Sequence, residues 1–542
     1  MEYVLRTGKM KKVFSTLLFI PLFSLVGFAR FGEQWGDQGD GTYVNPVIPA
    51  DISDIDAIRV GDDFYAISST MQMSPGMLVL HSKDLVNWEM IGHVVNDLAT
   101  ISPELNWDRM NCYGKGIWAG SIRYYKDKFW VYFGTPDDGL FMSSATDPAG
   151  PWEPLHQLWK VSDWNDCCSF CDDDGQLYLV TTNFGYDPKN GKHYNIHLFK
   201  MTPDGKNLIM ESDTIIYQAS GSEANKLYKI DGVYYHFFSE VNHEGRVTMM
   251  QRSRNIYGPY EVKQLNHVNS SKDREPNQGG LIGLDDGSWW FFTHHGTGAW
   301  EGRVASLLPV HWVEGWPIIG QVGQDTIGNM VWAAKKPNLP SHNKTKIQTD
   351  DDFSGKKLLP QWEWNYQPRA DKWSLTERKG FLRLYAYRPI RPEDNTNILL
   401  RAGNTITQRS IRSKANVVTV KMDISKTADG QCAGLTHFST TSHSTLGIKQ
   451  EKGIKNLVYT VNGKDSIVSP VEQKNIWLQS SWDVRGVNTY SYSLDGKNFT
   501  PLNVFTRLTW GSYRGDRVGI YNYNTIEDKG FVDIDFFKYT SY

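Results

Sequence analysis

Asp231-Gly-Val-Tyr-Tyr235 is one of five copies of a short pattern in the first 300 residues of the chain. Each copy is a polar turn, then an aromatic pair or near-pair, then an alternating strand. Repeats of this length with several short strands per unit are typical of β-propeller blades, so the pattern predicts a propeller. The second aromatics are 65, 48, 57 and 55 residues apart. The other copies are Gly61-Asp-Asp-Phe-Tyr65, Lys126-Asp-Lys-Phe-Trp130, Asp174-Gly-Gln-Leu-Tyr178 and Asp286-Gly-Ser-Trp-Trp290.

The repeat also aligns five positions that precede the hairpins. Asp54 lies 11 residues before the second aromatic of its copy, and Asp166 and Glu223 each lie 12 before theirs. The same count gives Trp118 in the second unit and Gln278 in the fifth. Innermost strands of a propeller ring its central channel, so we expect these five side chains to meet in one axial pocket. The alternative is that the carboxylates are turn residues at blade edges.

Three carboxylates, an indole and an amide are suited to carbohydrate chemistry. Two carboxyl groups that flank a glycosidic bond can act as general acid and general base, and a third carboxylate nearby keeps the acid protonated by like-charge repulsion. An indole face can stack on a sugar ring, and an amide can hydrogen-bond its hydroxyls. The sequence has no HExxH, no pair of CxxC motifs, no EF-hand loop, no glycine-rich phosphate loop beside a strand and no GxSxG motif, which disfavours other common enzyme classes.

Eight segments of the first region form one ordered set: 45–59, 82–88, 116–124, 166–178, 222–229, 277–280, 298–303 and 308–312. In this order they resemble the catalytic domain of glycoside hydrolase family 43. The resemblance runs from Asn45 to about Gln321 and implies a five-bladed propeller that hydrolyses glycosides with inversion at the anomeric carbon.

The resemblance also implies roles for four of the residues. Asp54 matches the general base and Glu223 the general acid, while Asp166 matches the carboxylate that raises the pKa of the acid and orients it. Arg303 matches an arginine that contacts the sugar. For inversion, the base and acid should lie roughly 6.5–9.5 Å apart to admit a water molecule.

Two departures from the family pattern lie beside the expected pocket. Asp56 stands where the family usually has serine, and we expect it to cap a turn, or otherwise to touch the pocket. Cys167 and Cys168 replace a Pro-Ser pair. With Cys171, Cys112 and Cys432 they make an odd count of five, too few for a disulfide scaffold and without a fourth ligand for a metal. We expect buried free thiols, with at most one disulfide.

The chemistry requires no cofactor, but the resemblance leaves a structural calcium open. Many family members place a histidine near a hydrated calcium on the propeller axis, and His294 and His295 are the candidates here. The alternative is that both are ordinary pocket-lining or core histidines. Asp352 and Asp535 are weaker candidates for a calcium site in the second domain.

The composition and the N-terminal segment indicate which partners the protein binds and where it is located. The net charge is −3 with a pI near 6.5, so nothing indicates nucleic-acid binding. Lys11 and Lys12 precede an apolar run from Val13 to Phe28, which predicts a signal peptide over 1–29 and export to the periplasm or beyond. This apolar run is short for a membrane span. Met10 is an alternative start of the chain. We expect the protein to be a monomer.

The sequence predicts two all-β domains. The propeller is expected over 40–332, a polar linker over 333–350, and a β-sandwich over 351–542, where short alternating strands are separated by Gly and Asn turns. The last region resembles the jelly-roll, concanavalin-like accessory domain that follows some family 43 propellers. Such a domain often lends a loop to the pocket rim, which would favour exo action; the alternative is a purely stabilising role.

The predicted function is that of an exported, inverting exo-glycosidase acting on plant hemicellulose. The stretch from His294 to Arg303 favours a terminal α-L-arabinofuranosyl substrate, with terminal β-D-xylosyl as the alternative. Two other classes stay open at this stage. One is a non-catalytic carbohydrate-binding propeller, and the other is a sialidase-like retaining enzyme, which would need a nucleophilic tyrosine and an arginine cluster.

Overall fold

The computed structural model describes residues 35–185, 194–268, 276–340, 347–390 and 397–542. The predicted signal peptide, 1–29, and part of the predicted linker, 341–346, lie outside these ranges. Within the described residues the chain is all-β, apart from four short 3-10 helices, and no helix is long and apolar enough to cross a membrane. The helices are Leu98–Thr100, Pro103–Leu105, Ala370–Lys372 and Ile398–Arg401.

The described part of the first 320 residues contains five consecutive antiparallel sheets, called blades 1 to 5, each built on four strands in chain order. The polar turn of the sequence repeat joins the first and second strands of every blade, so the predicted propeller is confirmed. Their strands are Asp56–Val60, Asp63–Ser68, Gly76–Ser82 and Trp88–Val95 (blade 1); Gly120–Tyr125, Lys128–Thr135, Gly139–Ala145 and His156–Trp159 (blade 2); Trp164–Cys171, Leu177–Asn183, Tyr194–Met201 and Leu208–Ala219 (blade 3); Glu223–Ile230, Val233–Asn242, Gly245–Ser253 and Glu261–Asn266 (blade 4); Gly279–Gly283, Trp289–Ala299, Gly302–Val313 and Trp316–Ile319 (blade 5).

Hydrophobic clusters between neighbouring blades hold the ring together. Blades 5 and 1 share such a cluster, in which Trp88 stacks on Phe292 with ring centroids 4.2 Å apart. Ile48–Asp51, which precedes blade 1, pairs with Gly302–Val313 of blade 5 and so ties the start of the ring to its end. Further short strands are Gly36–Asp37, Thr42–Val44 and Ala333–Lys335, which form a small sheet, and Gln321–Val322 and Gly328–Asn329, which extend blade 4.

The C-terminal region forms two larger sheets packed around one hydrophobic core, which confirms the predicted sandwich. Leucine, isoleucine, valine and tryptophan side chains alternate inward along these strands, as a sandwich core requires. In spatial order the first sheet contains Lys464–Pro470, Ile454–Val461, His443–Glu451, Gln431–Phe438, Arg517–Asn524, Thr405–Arg409, Glu363–Asn365 and Met73–Ser74. The second contains Trp373–Ser374, Leu382–Tyr385, Phe531–Ser541, Ala415–Asp423, Asn475–Asp483, Val487–Ser493 and Thr500–Arg507.

The propeller and the sandwich share a sheet and a buried ionic cluster. Met73–Ser74, from the connection between two blade 1 strands, pairs with Glu363–Asn365 at the edge of the first sandwich sheet. Beside it, buried arginines of the sandwich face two buried carboxylates, one from each region. Because an unpaired buried charge is costly, these contacts fix the sandwich against the propeller. The cluster contains Asp51, Glu363, Arg409, Arg514 and Arg517.

Candidate active site

A cavity of about 580 Å³ lies where the innermost strands of the five blades begin. The five positions aligned by the sequence repeat, one from each blade, all line this cavity, together with Arg303 and His294. The structure therefore brings together every residue that the sequence nominated for the pocket, apart from the second histidine. The aligned residues are Asp54, Trp118, Asp166, Glu223 and Gln278.

The backbone turns sharply at the carboxylate positions. Asp54 and Asp166 have left-handed φ values of 54° and 51°, and Ala224, next to Glu223, has a φ of 70°. The pairing of the inner strand shifts register immediately after Asn165 in blade 3 and after Glu223 in blade 4. Such bulges re-aim side chains, and non-glycine residues with positive φ, which cost about 1–3 kcal/mol each, cluster at functional sites.

Asp54 is held by an arginine and a histidine. Its Oδ1 atom lies 2.6 Å from Arg303 Nη1, and its backbone N–H donates to His294 Nδ1 at 2.8 Å. The backbone N–H of Arg303 in turn donates to Asp51 Oδ1, the buried carboxylate of the ionic cluster at the sandwich. The carboxylate of Asp54 is thus fixed in direction beside a cation, as a general base requires.

Asp166 is buried, as Asp54 is, and three donors surround it. Its Oδ2 accepts from the backbone N–H of Ala224 at 2.6 Å and from Gln278 Nε2 at 3.0 Å, and its Oδ1 accepts from Asn165 Nδ2 at 2.8 Å. Burial first, and then the charges of Glu223 and Asp54, raise the pKa of Asp166 to about 7. Near neutral pH these coupled carboxylates therefore retain a proton, which acid catalysis needs.

Glu223 is half-buried and forms an ion pair that sequence reasoning missed. Its Oε1 atom lies 3.0 Å from Nη1 of Arg246, which also lines the cavity. Gln278, expected to bind sugar hydroxyls, uses its amide nitrogen on Asp166, while its Oε1 is buried without a hydrogen-bond partner among the described residues and stays available to a ligand.

Aromatic side chains from both regions form the cavity wall. Trp118 Nε1 donates to Gly114 O at 3.0 Å, and its ring stacks on Phe184 and meets Tyr513 edge-on, each with centroids 6.1 Å apart. Tyr513 and Trp510 come from a sandwich loop, and the Arg303 guanidinium lies 5.5 Å from the Tyr513 ring. The aromatic, glycine-containing stretch 510–515 was the available sequence signal for this loop.

The donors around the histidines do not fit a calcium ion. Because His294 Nδ1 accepts from Asp54 N–H, its neutral ring carries the proton on Nε2, which can only donate. The fully buried ammonium of Lys226 already acts electrostatically on both His294 and Asp166. His295 Nδ1 lies 2.6 Å from Ser306 Oγ, away from the cavity lining.

The weaker calcium candidates are also engaged elsewhere. Asp352 caps its own turn by accepting from the backbone N–H of Ser354, and Asp535 pairs with Lys421 Nζ at 2.5 Å. Among the residues that the structure describes, no group of three or more His, Cys, Asp or Glu side chains is placed to hold a metal ion.

Asp56 and the cysteine thiols do not line the cavity. Asp56 neither caps a turn nor lines the cavity, so that expectation was wrong. It is fully buried, and its Oδ2 accepts from Arg123 Nη1 at 2.6 Å and from Ile122 N–H at 2.9 Å, which joins the inner strands of blades 1 and 2. All five cysteines are free thiols, and Cys168 Sγ accepts from Arg123 Nη2 at 2.8 Å.

Comparisons with known proteins agree with the chemistry of this cavity. Residues 43–317 match the model of the glycosyl hydrolases family 43, and residues 350–540 match the β-xylosidase C-terminal concanavalin A-like domain. A β-xylosidase from Formosa agariphila is 36% identical, with 93% of this chain and 91% of that protein covered. The non-reducing end α-L-arabinofuranosidase BoGH43B from Bacteroides ovatus is 33% identical over 63% of this chain and 65% of its own length.

A solved structure extends the likeness to the complete two-region architecture. The GH43 protein BlXynB from Bacillus licheniformis superposes with a TM-score of 0.77 at 25% identity, covering 92% of this chain and 100% of its own. The propeller and the sandwich therefore occur together in relatives as one unit.

Proposed function

The chain belongs to glycosyl hydrolase family 43, and from this premise we propose that it is an inverting β-D-xylosidase that removes terminal xylosyl residues from xylo-oligosaccharides. That it is an exo-acting glycosidase without an organic cofactor follows from the family and its relatives. The observation that carries the proposal is the set of three carboxylates around one cavity, of which Asp166 binds a proton near neutral pH.

The choice of sugar departs from the preference that the sequence suggested. The stretch from His294 to Arg303 favoured arabinofuranosyl substrates, but relatives that match nearly the whole chain are named β-xylosidases, and the C-terminal domain model carries the same name. A terminal α-L-arabinofuranosyl residue stays the second candidate because the arabinofuranosidase from Bacteroides ovatus is also similar.

The proposed reaction is a single displacement. Asp54, held beside Arg303, takes a proton from a water molecule as that water attacks the anomeric carbon. The bond from that carbon to the leaving oxygen breaks, and Glu223 gives its proton to that oxygen. Asp166 holds the backbone beside Glu223. Since burial and mutual repulsion make the three carboxyl groups retain a shared proton near neutral pH, that proton is available on Glu223 when substrate binds. Inversion at the anomeric carbon is the stereochemical consequence.

Exo action is supported by the closed side of the cavity. Trp118, Phe184 and Tyr513 form a wall, and the sandwich loop that carries Tyr513 closes part of the cavity rim. Export, predicted from the apolar run between Val13 and Phe28, stays a proposal and would deliver the protein to its polysaccharide-derived substrates.

The test is release of sugar from xylobiose, arabinoxylan oligosaccharides and the paired 4-nitrophenyl β-D-xyloside and α-L-arabinofuranoside. We expect the xyloside to have the higher kcat/KM and proton NMR to show α-xylose as the first product. Release of arabinose alone would replace the first candidate by the second, and β-xylose as first product would indicate a retaining enzyme.

A non-catalytic carbohydrate-binding propeller is tested in the same assay. We expect Glu223→Ala to lose at least about 10²-fold in kcat on xylobiose while calorimetry still detects binding of the sugar. Binding by the unchanged protein with no turnover of any pentoside would favour the binding function instead.

A further inference from the structure

The tripeptide Glu-Gly-Arg occurs at the same turn of two neighbouring blades. Glu244-Gly-Arg246 joins the second and third strands of blade 4, and Glu301-Gly-Arg303 joins the same strands of blade 5. Both glycines have positive φ, 119° and 83°, which suits glycine and lets the arginine begin the third strand at the cavity rim. The two arginines are therefore equivalent residues of the propeller repeat.

Each of these arginines pairs with a different carboxylate of the cavity. Arg303 Nη1 lies 2.6 Å from Asp54, the proposed base, and Arg246 Nη1 lies 3.0 Å from Oε1 of Glu223, the proposed acid. The ion pair at Asp54 marks the side from which water attacks. The ion pair at Glu223 marks the side from which the leaving group departs.

Arg246 is fixed from two directions. Its Nη1 donates to Gly221 O at 2.9 Å, just before the first strand of blade 4, and to Ser239 Oγ at 3.0 Å on the second strand. A quarter of the side chain is exposed, so the guanidinium lies at the cavity surface and not in the core. The position of Glu223 Oε1 is thus set by a guanidinium that the blade itself holds in place.

We propose that Arg246 is a positioning residue for proton donation, which directs the proton of Glu223 to Oε2 and stabilises the carboxylate left after transfer. The role rests on the proposed function. Since Oε1 lies 3.0 Å from the positively charged guanidinium, negative charge is favoured on Oε1 and the proton resides on the other oxygen. That oxygen is then the one that meets the glycosidic oxygen. When the C–O bond breaks, its electron pair goes to that oxygen and the proton follows, leaving Glu223 negatively charged beside Arg246.

Leaving-group dependence separates this role from a structural one. Proton donation matters for a sugar leaving group and little for dinitrophenolate, which departs as an anion. We expect Arg246→Met to lower kcat/KM on xylobiose by roughly 10–100-fold and to change it less than about threefold on 2,4-dinitrophenyl β-D-xyloside. Because the cation favours the ionised acid, its removal should also move the alkaline limb of the pH–rate profile to higher pH.

Arg246→Lys, which keeps the charge, should recover part of the xylobiose activity. Arg252→Met is the matched control: Arg252 lies on the same strand, has a similarly exposed side chain and pairs with Glu261 outside the cavity, and we expect both substrates to react as with the unchanged protein. Melting temperatures of all variants identify any loss of fold. If Arg246→Met unfolds, Arg246→Gln takes its place, because glutamine can still donate to Gly221 O.

An equal loss on both substrates, or no loss on either, would overturn the role of Arg246. If the unchanged protein hydrolyses neither substrate, nor the corresponding arabinosides, the proposed function itself is wrong and this role with it. The two failures are distinguished by the unchanged protein alone.

Discussion

The backbone N–H of Ala224 donates a 2.6 Å hydrogen bond to Asp166 Oδ2, which joins the third carboxylate to the residue directly after the proposed acid. Ala224 takes a left-handed φ of 70° to make this contact, and the register of the strand shifts at the same point. Asp166 on blade 3 thus holds the backbone of blade 4 at the point where the Glu223 side chain projects from it. A carboxylate that carries no proton to the substrate can in this way control the one that does.

Asp166→Asn tests this control in activity. The asparagine oxygen can still accept from Ala224, but the cluster loses one of the carboxyl groups whose mutual repulsion keeps a proton in it near neutral pH. We expect kcat on xylobiose to fall by roughly 10²-fold and the alkaline limb of the pH–rate profile to move to lower pH. A profile with unchanged limbs would show that the charge of Asp166 does not act on the acid.

The same substitution should change how stability depends on pH. The pKa of Asp166 is raised from its usual 3.8 to about 7 in the folded protein, so the folded state binds the proton more tightly than the unfolded chain. Stability from this group is full below about pH 4 and is lost as pH rises through 7. We therefore expect Asp166→Asn to be more stable than the unchanged protein by about 4 kcal/mol at pH 8, but not at pH 4.

Calorimetry at the two pH values measures that difference. Asp285→Asn serves as the control, because Asp285 is exposed and pairs with Arg59 at the surface. A gain of equal size at pH 4 and pH 8 would contradict the assignment of the raised pKa to Asp166.

Tyr513→Ala tests the contribution of the sandwich to the cavity. The substitution removes the ring that meets Trp118 and faces Arg303, and the side chain is 53% exposed, so little core packing is lost. We expect kcat/KM on xylobiose to fall about tenfold with a change in Tm below about 2 °C. Phe505→Ala, another exposed aromatic of the sandwich, should leave activity unchanged. Equal activity of the Tyr513→Ala and Phe505→Ala variants would show that the sandwich loop does not contribute to catalysis.

Glu363→Ala tests the buried ionic cluster between the two regions. Glu363 is fully buried against Arg409 and Arg517, at 2.8 and 2.9 Å, and its removal leaves the three buried arginines of the cluster with Asp51 alone as counter-charge within it. We expect destabilisation of about 3–5 kcal/mol, seen as a lower midpoint in urea unfolding followed by tryptophan fluorescence. Asp285→Ala, which breaks an exposed pair, should change the midpoint very little. Similar midpoints for the two variants would contradict a stabilising role for the cluster.

Chelation tests whether the residues around His294 exclude a calcium ion. Since His294 Nδ1 is taken by Asp54 and the Lys226 ammonium is buried nearby, we expect exhaustive EDTA treatment to leave kcat/KM and Tm unchanged, and added Ca²⁺ to change neither. A fall in Tm on chelation that Ca²⁺ reverses would show that a cation binds in spite of these donors.

The sequence by itself determined the blades and the register of the three carboxylates. Blade hairpins are local: a polar turn and a two-residue alternation specify each one, so the repeat could be read and used to align Asp54, Asp166 and Glu223. The same repeat contained the Glu-Gly-Arg turn at Arg246, which passed unnoticed because only its partner Arg303 matched a family motif.

Only the tertiary structure decided what surrounds the carboxylates. Tyr513 meets Trp118 across 395 residues of chain, and Asp51 and Glu363 find their arginines in distant strands. Asp56 likewise became a tie between blades and not a turn cap. The physical reason is that a buried charge or a cavity wall takes its partner from whatever segment packs against it, and local periodicity carries no information about that packing.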